Sequence, residues 1–117
     1  MASDILTPNV EIDIILAVNE GGTVGAVQAV RQAGLQGKVF VFGTDGPGQI
    51  AEFPTDPDDV LQAETAQQPI EMGGLAVQAA LDVLGGQAVE PMVMVPVLGL
   101  SRTDPAGIED FVATLPE

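Results

Sequence analysis

Three short polar clusters are the parts of this sequence that could do chemistry, and each directly follows an apolar run. Asn19-Glu20 comes after Val18, Thr44-Asp45-Gly46 after Gly43, and Gln67-Gln68 after Ala66. An amide, a carboxylate and a second amide suit a polyhydroxylated molecule. Asp45 can accept hydrogen bonds from two hydroxyls, while Asn19 and Gln67 can each donate and accept. Bonds to the ionised Asp45 would be the stronger ones. Glu20 and Thr44 stand beside these residues as supporting candidates. Each cluster also has an ordinary alternative, because Asn, Asp and Gly are common caps and turn formers after a strand. Their recurrence after three successive runs singles them out.

Other constellations are weaker. Gly21-Gly22-Thr23-Val24-Gly25 could cradle a phosphate at a helix start. It matches neither the dinucleotide fingerprint nor the P-loop, whose Lys it lacks. Close helix–sheet packing is the preferred role for its glycines. Glu20 and Asp45 could chelate Mg²⁺ as in phosphotransfer domains, yet no Lys or Arg lies nearby in sequence to hold a phosphate. The chain has no His and no Cys. This removes the commonest general base and transition-metal ligand, along with disulfide and thiolate chemistry. No catalytic residue, metal or cofactor is expected.

The elements that must position the three clusters alternate. Residues 12–18 (IDIILAV) are an Ile-rich run, as in a strand covered on both faces. Residues 22–33 carry Val24, Val27, Ala29 and Val30 at helical spacing, with Gly34 as a stop. Residues 38–43 (KVFVFG) form a second strand, closed by TDGPG. Residues 50–59 are turn-rich and acidic, and 60–66 (VLQAETA) are a weaker strand candidate. Pro69 then opens a helix over 70–84, since a Pro in the first turn sacrifices no hydrogen bond. Its stripe of Met72, Leu75, Ala76, Ala79, Ala80, Val83 and Leu84 runs to Gly85-Gly86. Residues 92–98 (MVMVPVL) form a last strand, with Met92 and Met94 in the core and Pro96 at an edge or end. A short amphipathic piece covers 108–115. The alternation predicts a single α/β domain over 1–117, a mostly parallel, flavodoxin-like sheet flanked by helices. In such sheets ligands bind beyond the C-terminal strand ends, where the three clusters fall.

Composition narrows the function. Of 117 residues, 46% are hydrophobic and only four are aromatic, all Phe, so a core is available and it is aliphatic. Seventeen acidic residues face Arg31, Lys38 and Arg102, for a net charge of −14. That balance repels nucleic acid and anionic membranes, and solubility is its simplest role. No apolar run is long enough to span a bilayer. The N-terminal MASDILTPNV lacks the basic start and apolar stretch of a signal peptide.

The stretch IILAVNEGGTVGAVQAVRQAGLQGKVFVFGTDG resembles the C-terminal lobe of periplasmic sugar-binding proteins of the ribose-binding type (periplasmic binding protein type I). That family shows an apolar strand, Asn-Asp, a small-residue helix and a strand ending in Gly-Phe-Asp-Gly. AETAQQPIEMGGLAVQAALDVLGG resembles its Ala-Gln-x-Pro segment and following helix, and VMVPVLGLSRTD its final strand. The likeness runs from about Asp4 to Asp104. It implies a non-catalytic binder of a small sugar or polyol, partnered by the membrane permease of an ABC importer and located in the periplasm or outside the cell. It also places Asn19, Asp45 and Gln67 on sugar-contacting positions. Two departures stand out: Glu20 replaces the family's Asp and Thr44 its Phe. A third is length, because the first-lobe core and the opening βαβ of the second lobe have no counterpart. Residues from about 69 would belong to the other lobe. Apolar faces meant for missing partners could then be covered by homodimerisation, element exchange or repacking, and the chain alone should bind sugar weakly or not at all. A LacI-type regulator's effector domain is the main alternative. It shares the fold and the Asn-Asp and Gly-Phe-Asp signals, but usually has an acid where Gly46 stands. An Mg²⁺-dependent phosphotransfer domain is the other.

Overall fold

The computed structural model describes Leu6 and residues 11–45 and 56–115. The chain forms two compact units, Met1–Ala66 with Gly99–Glu117, and Gln67–Leu98. In order the elements are β1 (Ile14–Leu16), α1 (Glu20–Gln32), β2 (Phe40–Thr44), β3 (Leu61–Ala66), α2 (Pro69–Leu84), β4 (Leu98–Ser101) and α3 (Pro105–Val112).

The first unit is built on a sheet of order β1-β2-β3-β4. β1 pairs parallel with β2, and β2 parallel with β3; with β4 the sheet is mixed. α1 buries Ala26, Val27, Ala29 and Val30, whose three- and four-residue spacing makes one inner stripe. Its end follows the expected logic. Gly34 takes φ +66, and Leu35 N–H donates to the Val30 carbonyl at 3.1 Å, the closure a left-handed glycine permits. The core joins this stripe to Val41, Val60, Leu100, Ile108 and Phe111, and apart from Phe111 these residues are aliphatic. Arg31 pairs with Asp56 and Asp58, and Arg102 with Asp59. Arg102 also donates to the Leu61 and Asp56 carbonyls. These contacts tie the chain entering β3 to the end of α1 and to the residues after β4.

β3 carries a bulge. Val41 lies opposite Leu61 but Phe42 lies opposite Ala63, which leaves Gln62 as the extra residue. Beyond it Gly43 pairs with Glu64 and Thr44 with Thr65.

In the second unit, Pro69 sits in the first turn of α2, and Gly85-Gly86 ends it, with Gly86 at φ +78. Gln68 Nε2 donates to the Pro96 carbonyl at 2.9 Å. No residue of α2 is buried, and its stripe is open: Met72, Leu75, Val83 and Leu84 are all exposed, as is Leu81 beside them.

Three expectations are corrected. The run 12–18 gives a strand of three residues, and Ile14, Leu16 and Val18 are exposed. The strand is therefore not covered on both faces. The last strand is not 92–98 but Leu98–Ser101. Pro91 and Pro96 cannot donate to a ladder, and pairing with β3 starts after them, with Arg102 N–H donating to the Gln62 carbonyl. Met92 and Met94 are 74% and 79% exposed and are not core. Most of the turn-rich stretch 50–59 and the Gly46-Pro47-Gly48 turn lie outside the described residues.

Candidate functional site

The carboxyl ends of β1, β2 and β3 lie at one edge of the first unit, because these three strands are parallel and adjacent. Asn19 follows β1 and is the N-cap of α1. Its backbone is extended (φ −161°, ψ 167°), and its Oδ1 accepts the Gly22 N–H at 2.8 Å. Its carbonyl accepts both Thr23 N–H and Thr23 Oγ1–H, at 2.9 and 3.0 Å. Asn19 is therefore a cap, the ordinary role weighed against ligand contact. The two roles are compatible, since capping uses Oδ1 and leaves Nδ2 as an exposed donor with no partner among the described residues. The cap also accounts for one glycine: a Cβ on Gly22 would lie 3.1 Å from Asn19 Oδ1. Gly25, assigned to close helix–sheet packing by sequence, would meet nothing within 4 Å.

Asp45 follows β2 at φ +71, a left-handed conformation that Asp tolerates better than most residues. Its N–H donates to the Thr65 carbonyl at 2.8 Å, so the backbone is anchored to β3 while the carboxylate stays partly exposed. Thr44 is half-buried at the last position of β2. Gln67 is exposed and is the first residue of the second unit, directly after β3.

Sequence reasoning missed Glu64. It is 3% exposed, and neither carboxylate oxygen has a hydrogen-bond partner among the described residues. Burial, with the nearby charges of Glu20 and Asp45, pushes its carboxyl up to about 7. Gly43 makes the space. A Cβ there would lie 2.7 Å from Thr23 Cγ2, 2.8 Å from Thr23 Oγ1 and 3.2 Å from Glu64 Cδ. A charged residue inside a strand candidate was the available signal, but its direction depends on the bulge at Gln62.

The charges are segregated. Arg31 lies near the end of α1, Lys38 just before β2, and Arg102 against the start of β3. All three bases of the sequence thus stand toward the opposite edge from Asn19 and Asp45, where Glu20, Asp45 and Glu64 gather. No group of three or more carboxylates able to hold a metal ion occurs among the described residues, and no described helix is long and apolar enough to cross a membrane.

Residues 1–88 match the family described as "Periplasmic binding protein domain". The ABC transporter periplasmic-binding protein YphF of Escherichia coli K12 is 33% identical over 101 residues, 86% of this chain and 30% of that protein. The D-allose-binding periplasmic protein of the same organism is 30% identical over 96 residues, 82% of this chain and 30% of its own length. An ABC transporter solute binding protein from Agrobacterium vitis, solved with bound allitol, superposes with a TM-score of 0.82 at 26% identity, covering 97% of this chain and 39% of that one. The chain thus spans about a third of the length of the proteins it matches.

Proposed function

The chain belongs to the periplasmic binding protein domain family, and from that premise we propose that it supplies part of the binding site for a neutral sugar or polyol. The ligand is held and not transformed. The observation that carries this reading is the edge of the parallel strands. It presents an amide donor on Asn19 and a carboxylate acceptor on Asp45, and all three bases of the chain stand elsewhere. Hydroxyls satisfy such a donor–acceptor pair, whereas a phosphorylated or acidic sugar would meet only like charge there. D-Allose and allitol, the ligands in the names of two relatives, are a neutral sugar and a neutral polyol. Gln67 is the third contact in this reading, assigned from its place after β3 and the family resemblance. Glu20 and Thr44 support the rim.

In the same reading residues from about 69 belong to a second lobe, the protein works in the periplasm, and its partner is the permease of an ABC importer. The division of the chain at Ala66 supports the lobe assignment. The exposed stripe of α2 is where other parts of a two-lobed protein, or a second copy of this chain, would pack. The regulator and phosphotransfer alternatives gain nothing from the relatives named above, which are transport proteins.

The test is a D-allose and allitol titration of the ¹⁵N-labelled chain, followed by amide resonances. Resonances of Asn19, Glu20, Thr44 and Asp45 should move with either polyol, at millimolar or weaker affinity, and the response should vanish in Asp45→Ala. A chain whose rim resonances ignore every neutral sugar and polyol but respond to Mg²⁺ or a phosphorylated sugar would sink the proposal.

A further inference from the structure

Glu64 plays no part in the rim chemistry above, yet it is the most unusual group in the first unit. A carboxyl that is 3% exposed with no hydrogen-bond partner among the described residues carries a large penalty when ionised. Among the described residues nothing offsets that penalty. Of the titratable groups on the elements around it, Glu20 on α1 and Asp45 after β2 act on it, and both are acids. The bases lie at the other edge. The N–H groups of Gly22 and Thr23 at the start of α1 are already taken by Asn19.

Its surroundings lead to the rim. The carboxyl and Thr23, itself only 2% exposed, border the same space over Gly43, where an added Cβ would meet both. Thr23 donates through both its N–H and its hydroxyl to the Asn19 carbonyl. We propose that Glu64 is a positioning residue for the rim: sharing the space over Gly43 with Thr23, it sets where the first turn of α1 and with it Asn19 can sit, and so ties the rim's geometry to its own proton. As the neutral acid it fits the space that Gly43 leaves, and the Thr23 hydroxyl stays on the Asn19 carbonyl. As the carboxylate it must reach water, and the way out displaces Thr23 and the first turn of α1. Repulsion from Glu20 and Asp45 acts in the same direction. That ligand binding then depends on this proton rests on the sugar-binding reading above; the movement of Asn19 does not.

The experiment follows amide resonances of Asn19, Gly22 and Thr23 from pH 5 to 9 in the full chain, in Glu64→Gln and in Thr23→Val, with D-allose titrations at pH 6 and 8. In the wild type the three resonances should titrate together near pH 7. They should stay flat in Glu64→Gln, which keeps the shape of the neutral acid. In Thr23→Val the amides of Gly43 and Glu64 should still report the titration while Asn19 no longer follows. If only the neutral form holds the rim, D-allose affinity should fall about tenfold from pH 6 to 8 in the wild type and stay constant in Glu64→Gln. Flat wild-type resonances overturn the inference. So does a titration that survives in Glu64→Gln, since the proton would then belong to another group, or an affinity that ignores pH while Asn19 titrates. Titration as expected with no rim response to D-allose or any other neutral sugar or polyol at either pH supports the positioning role and counts against the sugar-binding reading instead.

Discussion

Replacing Glu64 with Gln should remove a specific slope from the pH dependence of stability. The carboxyl sits at about 7 in the folded chain against 4.5 when unperturbed. Between those values the folded chain holds a proton that the unfolded chain has released. The associated stability is therefore fully present below about pH 4.5, falls as pH rises to about 7, and is level above that. The distance between the two values, at about 1.4 kcal/mol for each tenfold in proton affinity, sets a ceiling of about 3 kcal/mol. Water entry and local relaxation reduce this, so about 2 kcal/mol is the expected loss between pH 4.5 and 8. The Gln variant keeps the side-chain volume and cannot ionise. It should match the wild type within about 1 kcal/mol near pH 4.5 and exceed it by about 2 kcal/mol at pH 8. The chain has no Trp or Tyr, so the assay is urea unfolding followed by far-ultraviolet circular dichroism at half-unit steps from pH 4.5 to 8. The Arg31 contact holds the Asp58 carboxyl below its ordinary value. Its stability is present above that ordinary value and lost only in acid, outside this window. A wild type that gains stability from pH 5 to 7, or a Gln variant with the same slope, would refute the reasoning.

Four further outcomes follow from the packing. Asn19→Ala should destabilise the chain by roughly 1 kcal/mol through loss of the α1 cap. Asn19→Ser should restore most of that in urea unfolding yet not restore the response to D-allose, which separates the cap from the proposed ligand contact. Gly43→Ala places a methyl 2.7 Å from Thr23 Cγ2 and should destabilise by about 1–3 kcal/mol. The loss should show as weakened hydrogen-exchange protection in the first turn of α1, and an unchanged stability would mean that Thr23 is free to move aside. Ile108→Ala, at a site 1% exposed, should lower unfolding free energy by about 2–5 kcal/mol. Leu81→Ala, at 57% exposed, should change it by less than about 0.5 kcal/mol, and a larger loss would show that α2 packs against another surface in solution.

Much of both units could be read locally. Helical spacing in α1, Gly34 after its end, and Pro69 and Gly85 around α2 act over three or four residues, so the sequence carries them directly. Asn19 and Asp45 are legible for the same reason, as polar residues immediately beyond apolar runs. The overreach came where an apolar run was equated with burial. Ile14, Leu16, Met92 and Met94 are apolar and yet exposed, because hydrophobicity marks a face that can be covered but not what covers it.

The sequence by itself thus determined the α/β alternation, the family, an aliphatic core and an edge without bases. The direction of Glu64 was decided only by the tertiary structure. In a regular strand, Leu61 facing the core would put Ala63 and Thr65 inward beside it and send Glu64 outward. The bulge at Gln62 reverses the phase, so that Glu64 and Ala66 are buried with Leu61. Gly43 on the neighbouring strand then leaves the space that the carboxyl and Thr23 of α1 both border. Side chains alternate with a period of two, and one extra residue inverts everything after it. That extra residue is defined only by the strand beside it, which is why the pattern of β3 alone could not reveal it.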